Sequence, residues 1–469
     1  MFISQPATLE KKTQAVTPPA ALQRRRWVVL AQGLTTAVFV ILSLEALFAA
    51  AGLGEQEFLK RDGELGFVPM EGKHVTWRKE GFSRTQFNSC GMSDREYSLD
   101  KPAGTFRIAV IGDSMVESLQ VDRSQSFCRL VEQELNKGNP ERKFQVMNFG
   151  VSSYNLGQIY LRLQKLVTKF HVDLVLLCVR HNSVFDVFPR TPASFFFARP
   201  YFFLGNNGRL IQDYTVQRLW DKSGEARRLR ACQWLREHSR TWGVVSSFME
   251  SAAAWYLQLS SNGLKWGADV TDKQTAFAPA SKEEVRPLSG GQASPALANL
   301  PSNRRIAGGG TADTVASSCH DCPQQDDGLL AGKNSTGNAG AGEARAAAYY
   351  WPIAEALVCG MNETSQAGNS QLAILRLPTD YKPNNPETEL LRRTASLHHI
   401  PFIDASGSFE KAKALGLVRL FYIKHFTPAG HILLTSQLTP YLASLPRIKE
   451  FCQSSARTEA PPWGTHRHE

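Results

Sequence analysis

Residues 172–179 read VDLVLLCV, seven apolar residues around one aspartate. A run this short and this apolar reads as a strand. A strand apolar on both alternating faces belongs in a sheet covered on both sides, as parallel sheets are. Its surroundings repeat the theme. FRIAVI at 106–111 ends at Gly112, and FQVMNF at 144–149 ends at Gly150. Between them, 124–136 has helical spacing, with Phe127, Leu130, Val131 and Leu135 on one face. Residues 155–169 predict a second amphipathic helix, N-capped by Asn155. The rhythm resumes far downstream with a helix at 346–360, a strand at 371–377, a helix at 386–398, a strand at 400–404 and a last helix starting near Pro428. Strands alternating with helices predict an α/β fold, three layers deep, around a parallel sheet.

One long insertion divides this pattern. Residues 105–186 and 346–447 are expected to form a single domain, split between its third and fourth strands by 187–345. The first part of the insertion, 187–265, is rich in aromatics and arginines. The part at 270–345 is rich in Ala, Gly, Ser, Asn and Gln, and is expected to lack the apolar surface needed to order itself. A polar lead-in covers 54–104, with Asn88-Ser89-Cys90-Gly91 as a turn-like cluster, and 448–469 is a C-terminal tail.

Arg24-Arg25-Arg26 ends a polar tail (1–26), and an apolar run follows at 27–53. That length suits one transmembrane helix. The preceding arginines place the tail in the cytoplasm and the rest of the chain across the membrane. A cleaved signal peptide is the rival reading, with Ala49-Ala50-Ala51 as the cleavage site. Either way the main domain is exported.

The net charge of +10 is not gathered into a stripe beyond those arginines, which argues against nucleic acid as a partner. An acidic membrane or polysaccharide suits a basic surface better. Eight cysteines in 469 residues do not make a disulfide scaffold. Cys178 reads as a buried thiol. Cys319-His-Asp-Cys322 has no partner motif that would complete a zinc site.

Open parallel sheets bind ligands at the carboxyl ends of their strands. Strand one ends there in Gly112-Asp113-Ser114, strand two in Gly150 and strand three in His181-Asn182; His425 and His431 follow the last strand, in FYIKHFTPAGH. A serine on a tight turn before a helix presents its hydroxyl and its own N–H together. It needs a base, usually histidine, and the oxyanion formed on attack needs donors such as a serine or glycine N–H and an asparagine amide. His431, just after Gly430, reads as a packing residue.

The order GDS, NFG, Asn after the third strand and a C-terminal His resembles the SGNH hydrolase superfamily of GDSL-like lipases and esterases. FNSCGMSDREY before KPAGTFRIAVIGDS, with the closing HFTPAGH, resembles its membrane-anchored bacterial branch. The resemblance covers roughly 88–186 and 346–445. It implies an α/β/α fold with a flavodoxin-like parallel sheet, Ser114 as nucleophile, His425 as base, and Gly150 and Asn182 as the oxyanion hole. It implies no metal or organic cofactor. It also implies an inner-membrane protein with its main domain in the periplasm or outside, acting as ester hydrolase or acyltransferase on an acylated small molecule or cell-surface glycan.

One element of the family pattern is missing. An aspartate usually stands two or three residues before the histidine, but Tyr422 and Ile423 stand here. Three explanations are open: a Ser114–His425 dyad held by a backbone carbonyl, an orienting carboxylate from elsewhere such as Asp404 or Asp186, or a weakened domain that binds a glycan or secretion partner. The aromatics Phe195, Phe196, Phe197, Tyr201, Phe202 and Phe203 would line such a binding cleft or belong to the core.

Overall fold

The structure, a computed structural model, describes residues 20–54, 57–137, 143–180, 187, 195–249, 252, 338–378, 386–416 and 419–454. By its internal contacts the chain forms two units, one of residues 1–271 with 347–469 and one of 272–346. Of the second unit only 338–346 are described, as the start of the helix Asn338–Ala367. The expectations for Cys319, Cys322, His181, Asn182 and Asp186 lie outside the described residues.

A helix, α1 (Ala20–Ala50), opens the chain. Its segment Arg24–Ala50 is long and apolar enough to cross a membrane, with a mean hydropathy of 2.0. Two small antiparallel hairpins follow: β1 (Leu59–Asp62) with β2 (Gly66–Pro69), and β3 (His74–Trp77) with β4 (Ser83–Gln86). The lead-in is therefore folded, and its Asn88 cluster is a turn in which the Asn88 side chain accepts from the N–H groups of Cys90 and Met92.

The central sheet holds β5 (Thr105–Ile111), β6 (Lys143–Asn148), β7 (Leu174–Val179), β10 (Gln371–Arg376) and β11 (Phe402–Asp404), all parallel. The strands between, β8 (Tyr201–Leu204) and β9 (Leu210–Asp213), pair with each other and, among the described residues, with no other strand. Across the sheet the order is β11-β10-β7-β5-β6. Numbering the five strands along the chain gives 2-1-3-4-5, the flavodoxin-like order, whose switch point lies between the first and third strands. The expected α/β/α architecture with a parallel sheet is the one observed.

Every residue of β5 and β7 is buried. The period-two alternation sends Ala109, Ile111, Val175, Leu177 and Ile374 into one core, and Ile108, Val110, Leu174, Leu176 and Leu375 into the other. The flanking helices start where capping side chains allow. Ser126 caps α3 (Phe127–Asn136) through the Arg129 N–H, and Asn155 forms a capping box with Gln158 at α4 (Leu156–Lys165). Phe195, Tyr201 and Phe202 of the insertion are buried, and the Phe195 ring packs at a tilt against Phe67 with centroids 5.3 Å apart. These three belong to the core, whereas Phe196 is exposed and Phe197 and Phe203 are half-buried.

Candidate active site

Strand β5 ends at the switch point, and the chain turns at once into the single helical turn α2, Ser114–Glu117. Asp113 caps it, its carboxylate accepting from the Met115 N–H at 3.0 Å while also receiving the Arg180 guanidinium from the end of β7. Asp113 is thus committed to shaping the turn. Ser114 follows, 9% exposed, at the first position of the helix, where a backbone N–H has no partner within the helix.

His425 comes to this serine from the other end of the chain. It lies in a tight turn closed by the bridge between Phe421 and Phe426 and by the Tyr422 N–H donating to the His425 carbonyl at 2.8 Å. Thr427 then caps the helix Pro428–Ser444. The turn aims the imidazole so that Nε2 lies 2.9 Å from Ser114 Oγ.

The other ring nitrogen, Nδ1, lies 2.8 Å from Glu80 Oε2. The carboxylate on His425 is therefore Glu80, a residue of the lead-in. Asp404 is not the orienting carboxylate: it is held at the end of its strand by Arg376 at 3.2 Å and by the Ser406 N–H at 3.0 Å. Asp186 lies outside the described residues. A dyad held only by a backbone carbonyl is equally ruled out by the Glu80 contact.

Glu80 sits in the loop joining β3 and β4, in WRKEGF at 77–82. The next residue, Gly81, has φ +68°, and a Cβ there would lie 2.3 Å from the Gln120 carbonyl and 2.8 Å from the Tyr422 ring. Only glycine lets the loop tip wedge between the loop after Ser114 and the turn that carries His425. Ser83 ties the same hairpin to the Leu119 carbonyl. Partial burial pushes the Glu80 pKa up, but the hydrogen bond and charge of His425 and the Lys424 N–H outweigh it, leaving the carboxyl below its usual value. An ionised Glu80 fixes the proton on Nδ1 and leaves Nε2 as acceptor for the Ser114 hydroxyl.

Gly150 packs against the same helical turn, and a Cβ would lie 2.3 Å from the Glu117 nitrogen. Its N–H donates to the Asn148 side chain at 3.0 Å, so the donor expected to face an oxyanion is engaged within its own loop. The reason is local: Asn148 turns back over the strand end, its amide donating to the Val116 carbonyl at 2.7 Å. Beneath Ser114, Glu117 is fully buried, its pKa pushed up to about 7 by burial although Ser152 donates to it through both N–H and hydroxyl. His431 is a packing residue. It stacks on Phe127, accepts from the Phe127 N–H at 3.2 Å, and burial with the nearby charge of His425 drives its pKa down to about 3.

No protein-family model matches this chain, and no curated protein does. Among solved structures it is similar to Axe2, an acetylxylan esterase from Geobacillus stearothermophilus, at 10% identity and a TM-score of 0.32, covering 73% of this chain and 96% of that one. It is also similar to LAE5, an alpha/beta hydrolase enzyme from the metagenome of Lake Arreo, Spain, at 12% identity and a TM-score of 0.30, covering 73% of this chain and 96% of that one. At such scores the roles of the residues rest on their geometry.

Sequence reasoning passed over Glu80 because its partner stands 345 positions away, so no local spacing connects them. The available signal was the hairpin itself: HVTW and SRTQ flank a short loop containing Glu80-Gly81.

Proposed function

We propose that this chain is an exported, membrane-anchored serine ester hydrolase or acyltransferase of the SGNH type, in which Ser114, His425 and Glu80 act in line. The observation that carries the reading is the unbroken contact Ser114 Oγ to His425 Nε2 at 2.9 Å and His425 Nδ1 to Glu80 Oε2 at 2.8 Å. The family aspartate that the sequence lacks has a functional equivalent in Glu80, which removes the reason for reading the domain as a weakened binder.

The chemistry follows from the positions. Ser114 Oγ adds to the ester carbonyl while His425 Nε2 takes its proton. Glu80 stabilises the imidazolium that results. The oxyanion faces the Ser114 N–H at the start of α2; Asn182, the second donor that the resemblance implies, lies outside the described residues. Collapse breaks the ester C–O bond, and the departing alkoxide takes the proton from His425. An acyl group is left on Ser114. Water or a sugar hydroxyl then gives its proton to His425 and its oxygen to the acyl carbon, and as the acyl C–Oγ bond breaks His425 returns the proton to Ser114 Oγ. Water yields hydrolysis and a hydroxyl yields transfer. Acyl esters of a cell-surface glycan suit an exported site beside a membrane.

Labelling of the detergent-solubilised full chain with a fluorophosphonate probe tests this. Labelling of the wild type that disappears in Ser114→Ala is expected. Equal labelling of both proteins, or of neither, would refute the assignment.

A further inference from the structure

The apolar helix α1 carries one acidic residue in its outer half, Glu45. A carboxylate in a membrane span is costly unless it is partnered. Glu45 is partnered by the insertion: it receives the N–H groups of Arg240 and Thr241 and the hydroxyl of Ser239, at the start of a helix covering 240–249. Residues 24–43 of α1 are all exposed, whereas Leu44, Glu45 and Phe48 are partly covered, so the body grips only the last turns of the apolar helix.

The segment just beyond α1 is held by the same elements. Arg240 donates to the Gly54 carbonyl at 2.9 Å, Arg236 pairs with Glu57 at 3.1 Å, and Arg78, from the loop that carries Glu80, donates to the Gly52 carbonyl at 3.3 Å. Helix 240–249 therefore starts at the level of Glu45, which is about 8 Å along the axis before Ala50 at 1.5 Å per residue. Arg24–Ala50 is 27 residues long, whereas a hydrocarbon core needs about 20. Counted outward from Trp27, the far edge of that core falls near Glu45.

Helix Gly224–His238 and helix 240–249 both carry exposed apolar side chains. Trp234 is 58% exposed, Phe248 73% and Met249 60%, and Val245 is exposed beside them. Residues 224–249 carry five arginines against two glutamates. Exposed aromatics with a cationic excess suit the headgroup zone of an anionic bilayer.

We infer that helices Gly224–His238 and 240–249 form a platform that rests in the outward-facing leaflet, with Trp234, Val245, Phe248 and Met249 at the acyl boundary. This rests on the proposed anchoring by α1 and goes beyond it, since an anchor alone leaves the body free to stand off on a tether. With Arg78 joining the Glu80 loop to the same exit turn, the platform would fix the Ser114 cleft beside the membrane surface.

The test places p-benzoylphenylalanine, singly, at Phe248, at Val38 within α1, or at the exposed Leu415 at the end of helix Ser406–Ala414. Each full chain is reconstituted in vesicles of phosphatidylethanolamine and phosphatidylglycerol and irradiated. Phospholipid adducts at positions 248 and 38, with none at 415, are expected. An adduct at 38 alone leaves the anchor standing and overturns the platform. Absence of an adduct at 38 overturns the anchor and the platform with it. Equal adducts at 248 and 415 would mean unspecific contact and would also overturn the platform. All three side chains lie exposed on the protein surface, and retained fluorophosphonate labelling confirms that each variant is folded.

Discussion

Glu80 Oε2 lies 2.8 Å from His425 Nδ1, although 345 positions separate the two residues in the chain. The contact is made by a β-hairpin that packs over the site from outside the central sheet. Lys424, next to the histidine, adds its N–H to the same carboxylate oxygen at 3.3 Å.

The hairpin tip depends on Gly81. Its positive φ and its approach to the Gln120 carbonyl leave no room for a Cβ. Gly81→Ala should move Glu80 away from His425 and lower kcat at least tenfold. A strained backbone of this kind costs about 1–3 kcal/mol, so the domain should stay folded. Esterase turnover measured beside thermal melting checks this, and unchanged turnover would mean that the tip tolerates displacement.

Asp404 provides the contrasting case. Its carboxylate sits below its usual pKa: partial burial pushes it up, but the hydroxyl and N–H of Ser406 and the Arg376 guanidinium outweigh that. Asp404→Asn should leave kcat within about twofold while lowering the melting temperature by a few degrees, as a loss of about 1 kcal/mol implies. A large fall in kcat at unchanged stability would return Asp404 to the site.

Glu117 makes stability depend on pH in an unusual direction. Burial raises its pKa from 4.5 to about 7, so the folded chain holds this proton more tightly than the unfolded chain does. Its contribution is present below pH 4.5 and falls as pH rises to about 7, by up to about 3 kcal/mol. Glu117→Gln keeps acceptors for Ser152 without the charge. The variant should match the wild type near pH 4.5 and melt at a higher temperature at pH 8. Parallel melting curves across that range would show that Glu117 is not the source.

Much of the fold was legible because its signals are local. The apolar run at 172–179 required a covered parallel strand, and Asn155 announced the helix after it. Ser114 and His425 were legible as residues at strand ends, and they meet. Glu80 was not, because a hairpin reports its own turn but not the surface on which it lands. The hydrogen bond of Gly150 was not legible for a related reason. The turn shows that glycine is needed, but only the folded loop shows that Asn148 takes its N–H. Glu45 is a further case: the partners of this one carboxylate in the apolar run stand at 239–241, some 194 positions away.

The Glu80→Gln variant, assayed for kcat/KM on p-nitrophenyl acetate beside the wild type and Ser114→Ala, tests the line of Ser114, His425 and Glu80 most directly. Glutamine keeps the shape but cannot fix the imidazole tautomer or stabilise its charge. The loss should be about 10³- to 10⁴-fold, as for removal of the orienting carboxylate from a serine triad, with the protein still folded. Wild-type turnover in Glu80→Gln, with Ser114→Ala inactive, would contradict the assignment of Glu80 as the third member of the site.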